Sequence, residues 1–256
     1  MTKITIKVFS KGHDLNHSGA ELFDQVARDA VSLRGRFICA LSGGGTPMAL
    51  YSLLAQSPYH ESLPWENMCF FWGDERCVPP ADPGSNYYQA RQALLAQVPV
   101  LEKNIFRARG ELSPQLAAED YARQLNSCAD PGLDWPRFDM VLLGLGADGH
   151  TASLFPGSQE THGISTVAVT ANYQDRPANR VTLTPDVINS ARNVVFLVIG
   201  VEKAEALVAT VTGTREPVRL PAQRIMPADA RLWWLVDQAA ASRLPESIAG
   251  IEIQRL

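Results

Sequence analysis

The sequence predicts an α/β fold in which a mainly parallel sheet carries helices on both faces. Short, nearly unbroken apolar runs recur along the chain, stretches with apolar residues at helical spacing separate them, and glycine-rich turns follow several of the runs. Strands buried on both faces read as continuous apolar runs, and parallel neighbours need crossover connections long enough to hold a helix.

Taken in order, residues 1–9 alternate like an edge strand, and apolar runs at 37–41, 68–72, 138–143, 166–170, 194–199 and 232–236 predict further strands. Residues 47–56, 87–97, 114–128 and 202–212 have the spacing of helices. Pro47 and Pro114 open two of these, where a proline is tolerated. Segments 131–136 and 174–178 have the composition of surface loops. There is no internal repeat and no long linker, so residues 1–256 are expected to form one domain.

Composition narrows the function classes. A 256-residue chain that is 46% hydrophobic and 20% charged buries a full core. Its formal net charge is −4 and its Lys and Arg residues form no run suited to a phosphate backbone, which argues against nucleic acid as a partner. No signal-peptide core or transmembrane-length run is present, so a cytoplasmic protein without membrane contact is expected, as a monomer or weak homo-oligomer. Cys39, Cys69, Cys77 and Cys128 have neither C-x-x-C spacing nor a nearby histidine pair, and read as buried thiols, with Cys77, beside charged residues, open to partial exposure.

The most informative segment is Gly144-Leu145-Gly146-Ala147-Asp148-Gly149-His150, directly after the apolar run 140–143. A strand that breaks into glycines presents its last residues at the sheet's edge, and an imidazole beside a carboxylate is suited to taking a proton from water near neutral pH. The segment also fits G-x-G-x-x-G. The stretch after His150 reaches Pro156-Gly157 too soon for a crossover helix, and the next strand-like run does not end in an acid, so a dinucleotide site is disfavoured.

A second glycine loop, Ser42-Gly43-Gly44-Gly45-Thr46-Pro47, joins a strand to a helix and reads as a phosphate cradle of main-chain N–H groups. It lacks the Gly-Lys-Ser/Thr ending of a nucleotide-hydrolysing loop. After the run 68–72 come Gly73, Asp74, Glu75 and Arg76, where open α/β sheets place ligands. Arg76 there is suited to a phosphate or a developing oxyanion, and either acid to pairing with Arg76. An Asp–Glu–His metal site is disfavoured because a second ligand at helical spacing is missing. Arg180 opens an apolar alternating run, and Lys203 falls in the first turn of a predicted helix, where a cation opposes the helix dipole unless an anion sits alongside. The five tryptophans read as packing residues.

With these segments in view, the chain resembles the 6-phosphogluconolactonase family, part of a wider superfamily that includes glucosamine-6-phosphate deaminase. The resemblance spans about residues 10 to 240 and rests on SGGGTP, GDERCVP with a following SNY, LGLGADGHTASLFPG, NRVTLT, GVEKA and LPAQ, in that order. It implies a three-layer α/β/α Rossmann-like fold without dinucleotide, and hydrolysis of 6-phospho-D-glucono-1,5-lactone, a small sugar-phosphate lactone, without metal or cofactor. By the same resemblance His150 is the general base with Asp148 as its partner, and Arg76 lines the site as a third catalytic candidate. Gly44, Gly45, Thr46, Arg180 and Lys203 contact phosphate. Ser42, Gly43, Asp74, Glu75, Gly146 and Gly149 complete the expected lining. The deaminase branch carries a glutamate five residues after the histidine and a tyrosine after the Asp-Glu pair. This chain has Phe155 and Arg76 there, which favours the lactonase. A non-catalytic sugar-phosphate sensor would bring a DNA-binding domain, for which this chain has no room.

Overall fold

A computed structural model describes residues 2–173 and 176–256, so Gln174 and Asp175 of the expected 174–178 loop lie outside the described residues. The chain runs β1 (Lys3–Phe9), α1 (Gly12–Arg34), β2 (Phe37–Leu41), α2 (Gly45–Leu54), α3 (Tyr59–Ser62), β3 (Met68–Trp72), β4 (Asp74–Arg76), α4 (Asn86–Ala90), α5 (Pro114–Ser127), β5 (Met140–Leu143), β6 (Thr166–Thr170), β7 (Asn179–Leu183), α6 (Pro185–Asn189), β8 (Asn193–Val198), α7 (Ala204–Thr212), β9 (Arg231–Asp237) and β10 (Ile251–Arg255). A turn of π-helix over Arg91–Leu95 extends α4, so the helix expected at 87–97 is present with a widened second half.

Seven strands form one parallel sheet in the order β10-β1-β9-β8-β5-β2-β3. Side chains alternate across it. Phe37, Cys39 and Leu41 of β2 face a core shared with Leu15 and Phe23 of α1 and Leu50 and Tyr51 of α2. Ile38 and Ala40 face a second core with Tyr121 and Leu125 of α5 and Leu207 of α7. Inner strands such as β2, β5 and β8 are thus buried on both sides, which is why they read as continuous apolar runs.

Two sequence expectations are corrected, and one helix is added. The opening segment is not an edge strand: β1 lies between β9 and β10, and the C-terminal Ile251–Arg255, unrecognised in the sequence, takes the edge. Residues 166–170 do form a strand, but β6 pairs antiparallel with β7 in a separate three-stranded sheet, β4-β7-β6. Their half-buried pattern fits a strand with one solvated side, as antiparallel sheets allow. The sequence reading also passed over α1. Its buried stripe of Leu15, Gly19, Ala20, Phe23, Ala27 and Ala30 has helical spacing but is built largely of small residues, which let the helix lie close to the sheet. Gly35, at φ +74°, ends it in the left-handed conformation and returns its N–H to Val31.

One buried carboxylate ties the sheet's lower end together. Asp139, just before β5, accepts the main-chain N–H of Ile38 at 2.8 Å and faces Arg34 of α1 at 2.8 Å and Arg192 before β8 at 3.3 Å. Among the described residues no helix is long and apolar enough to cross a membrane.

Replacing Asp139 by alanine strands the Ile38 N–H and unpairs two half-buried arginines, so Asp139→Ala is expected to lower unfolding free energy by about 1–3 kcal/mol. Urea denaturation checks this; an unchanged midpoint would show that water replaces the carboxylate at no cost.

Candidate active site

The parallel strands all present their carboxyl ends at one edge. The chain leaves β2 outward to β3 and later returns to β2's other side with β5, so the strand order reverses between β2 and β5. Open α/β sheets bind ligands at such a switch point. A cleft lies there, walled by Ser42–Thr46 after β2, Gly73, Asp74 and Arg76 after β3, Gly144–Gly146 and His150 after β5, and Lys203 after β8.

The β2 loop is held from behind. Tyr51 of α2 accepts the Ser42 N–H at 2.9 Å and donates to the Ser42 carbonyl at 3.0 Å. Gly44 has φ +106°, a conformation L side chains rarely adopt, and a Cβ at Gly43 would fall 1.9 Å from Asn86 Oδ1. These glycines let the main chain approach the cleft at the N-terminus of α2, whose dipole favours an anion.

After β5 the chain folds into a turn closed by Gly146 N–H to His150 O at 2.8 Å and Gly149 N–H to Gly146 O at 3.0 Å. The His150 imidazole lies over Gly146, where a Cβ would come within 2.0 Å of Nδ1. Asp148 Oδ1 accepts the His150 main-chain N–H at 3.1 Å and faces Nδ1 at 2.6 Å. Burial pushes the Asp148 carboxyl up, but its hydrogen bond and charge interaction with His150 outweigh this and hold it below the usual range. An ionised Asp148 accepts only, so Nδ1 carries hydrogen and the neutral ring's lone pair falls on Nε2. The ring stacks on Phe155 at 4.7 Å and meets the edge of Tyr173 at 4.6 Å.

Cations form the opposite character of the cleft. Arg180 is 3% exposed, and among the described residues its Nε and Nη2 have no hydrogen-bond partner. Its guanidinium sits 5.3 Å from the Phe155 ring centre, and burial pushes its pKa down. Arg76 donates to the Gly84 carbonyl at 2.7 Å through Nη1, while its buried Nε has no partner among the described residues. The register of the small sheet sets Arg76 directly opposite Arg180. Like charges so placed repel, an arrangement an anion between or beside them relieves.

Of the residues expected at the site, Glu75, Asp148 and Gly149 are not in the cleft wall. Asp148 stands behind His150. Gly149, at φ +84°, packs against Leu220 and shapes the turn. Glu75 is the clearest correction, because successive residues of β4 point to opposite sides, so Asp74 and Arg76 face the cleft and Glu75 faces away. Its carboxylate accepts the N–H groups of Arg76, Asn86 and Tyr87 at 2.6–2.7 Å and the Ser85 hydroxyl at 2.9 Å, fixing the start of α4. Asp74 accepts the Ser153 hydroxyl at 2.6 Å and the Asn86 amide at 3.2 Å. The sequence reading missed Tyr173 and Arg176, which line the cleft from the segment before β7, and the lining residue Asn86. The tyrosine and arginine carry no local pattern; the asparagine stands in the SNY motif but was assigned no role.

The fold and cleft thus define an α/β protein with a cationic wall and an oriented histidine at a switch point. A family model described as glucosamine-6-phosphate isomerases/6-phosphogluconolactonase matches residues 10–234, and the chain belongs to that family. It is 37% identical over 205 residues to the 6-phosphogluconolactonase of Haemophilus influenzae, covering 80% of this chain and 86% of that one. It is 41% identical over 218 residues to the 6-phosphogluconolactonase of a Synechocystis strain, covering 84% and 88%. The solved 6-phosphogluconolactonase of Trypanosoma brucei superposes with a TM-score of 0.84 at 31% identity, over 96% of this chain and all of that one. A monomeric glucosamine-6-phosphate deaminase shares the fold, with a TM-score of 0.79 at 21% identity, over 94% of this chain and 99% of that one.

Burial pushes the Glu75 carboxyl up to about 7, against the four donors that favour its charged form. A folded-state pKa above the unfolded value gives stability at low pH that is lost as pH rises through about 7. Glu75→Gln removes this titration and sets an amide donor against a donor, so it is expected to be less stable at every pH and to show a flatter stability profile between about pH 5 and 8. Unfolding free energies at both ends of that range test this; parallel profiles for the two proteins would sink it.

Proposed function

We propose that the cleft hydrolyses 6-phospho-D-glucono-1,5-lactone to 6-phospho-D-gluconate, in the oxidative branch of the pentose phosphate pathway, with His150 as general base. The observation that carries the mechanism is the double hold of Asp148 on His150, which leaves Nε2 free to take a proton. The lactonase names of relatives sharing more than a third of their residues with this chain support the reaction.

A lactone carbonyl is already electrophilic, so the protein has three tasks: to place a water, remove its proton and stabilise the tetrahedral oxyanion. His150 Nε2 accepts the proton as the water oxygen bonds to the carbonyl carbon. Asp148, held ionised, stabilises the imidazolium. Collapse of the intermediate breaks the bond to the ring oxygen, which takes the proton back from His150 and leaves the open-chain acid. Candidate oxyanion donors are Arg76, through the Nε that has no partner among the described residues, and the amides near Gly146. The substrate phosphate docks on the amides of Gly44, Gly45 and Thr46, with Arg180 and Lys203 supplying charge. Asp74, with its partners Ser153 and Asn86, offers acceptor atoms suited to sugar hydroxyls. The free thiols Cys39, Cys69, Cys77 and Cys128 fit a reducing, cytosolic setting.

Acid release from freshly generated lactone, measured above the spontaneous rate, tests the activity. His150→Ala is expected to lower turnover about a hundredfold or more while substrate still binds, as loss of a general base requires. Unchanged turnover in a folded variant would remove His150 from the mechanism.

Arg180→Ala and Lys203→Ala are expected to act through affinity, raising KM about tenfold to a hundredfold, since a charge-assisted contact contributes about 1.5–3 kcal/mol. The same variants on gluconolactone, which lacks the phosphate, provide the control. An equal loss on that substrate would show that these cations do not read the phosphate.

A further inference from the structure

We infer that the first two turns of α1 carry a surface site for a divalent first-row transition-metal ion, with His13 and His17 as its protein ligands. Neither histidine lines the cleft, whose own histidine follows β5, and nothing in the proposed lactone hydrolysis uses the pair.

His13 and His17 stand four residues apart, on one face of the helix. Their Nε2 atoms are 3.0 Å apart and their ring centres 4.3 Å apart, at an interplanar angle of 54°. Two imidazoles on one metal at about 2.05 Å place their nitrogens about 2.9 Å apart at a right angle and about 3.3 Å apart at the tetrahedral angle. The observed separation lies between these limits. The ring centres are farther apart than the nitrogens, so the two Nε2 tips converge on the same space. Side chains already in this arrangement lose little freedom when an ion arrives.

The surroundings supply the orienting contact that metal-bound histidines ordinarily have. His13 Nδ1 faces Asp14 Oδ1 at 3.4 Å, and Ser10 donates to the other Asp14 oxygen at 3.3 Å. A carboxylate on Nδ1 favours hydrogen there, which leaves the His13 lone pair on Nε2. Without metal, His17 donates its Nε2–H to that lone pair. On binding, the His17 hydrogen moves to Nδ1 by exchange with solvent, so both Nε2 atoms face the ion. Among the described residues no cluster of three or more His, Cys, Asp or Glu side chains is poised for a metal, so this is a two-ligand site with water in the remaining positions. Imidazole nitrogens near a right angle suit Ni2+ or Cu2+ in tetragonal geometry better than the wider angle of tetrahedral Zn2+.

Calorimetric titration of the untagged chain with Ni2+ tests the site. One ion per chain is expected, with affinity falling at least about tenfold in His13→Ala or His17→Ala and by a smaller factor in Asp14→Asn. Ni2+ is also expected to raise the melting temperature of the wild type and to leave that of the double His13→Ala, His17→Ala variant unmoved. In the wild-type protein itself, paramagnetic broadening by Ni2+ should reach the imidazole signals of His13 and His17 before that of His150, a readout independent of any variant's folding. Failure of the wild type to bind Ni2+, undiminished affinity in the double variant, or broadening of His150 first would each overturn the assignment.

Discussion

The site depends on one oxygen atom. Asp148 Oδ1 receives both the main-chain N–H and the ring of His150, so the imidazole is fixed in position and tautomer by a residue only two places away. Such a short-range hold is possible because the chain leaves β5 through glycines. A side chain at Gly146 would occupy the space of the ring itself, and Gly149 takes up the positive φ that closes the turn. The geometry of the proposed base is therefore a property of seven consecutive residues, and in this proposal the rest of the fold serves to place a substrate against it.

Gathering cations for that placement carries a cost. Arg180 and Arg76 oppose each other across the small sheet, both almost fully buried, with guanidinium nitrogens unpartnered among the described residues. Burying charge without full hydrogen bonding is unfavourable, and the strain is tolerable here because Asp74 lies close enough to favour the charged form of Arg180. In the proposed mechanism a phosphate or an oxyanion completes what Asp74 begins. The contrast with Asp139 is instructive, since there a buried carboxylate gathers two arginines and a main-chain N–H and leaves its own demand met.

The sequence exposed the parts of the fold and site that are local. Parallel strands buried on both faces gave continuous apolar runs, and glycine loops at their ends marked the cleft, because chain direction alone brings those ends to one edge. What depended on partners far along the chain was hidden. The inner position of β1 required β10, whose short IEIQR alternation is unremarkable until it pairs. Tyr173 and Arg176 reach the cleft only because β7 returns beside β4. Glu75 was within reach: once residues 74–76 are taken as extended chain, alternation sends Asp74 and Arg76 one way and Glu75 the other. The stripe of α1 was equally readable by its spacing, though small residues kept it inconspicuous.

The environment of His150 also explains why this branch of the family suits lactone opening better than amino-sugar isomerisation. Moving hydrogen between two carbons and a ring oxygen calls for a relay of ionisable groups around the base. Here the ring stacks on Phe155 and meets Tyr173 edge-on, the two aromatics also touching each other, and the Arg180 guanidinium lies 5.3 Å from the Phe155 ring centre. Phe155 can neither hold nor pass a proton, and burial pushes the Tyr173 hydroxyl above its ordinary value, so it is no acid or base near neutral pH. The aromatic pair packs against the ring and offers no second proton carrier beside the Nε2 lone pair. One base with one proton to move is what attack on a carbonyl already primed by its ester requires, and in the proposed mechanism the cationic wall is suited to the resulting negative charge and to the substrate's phosphate.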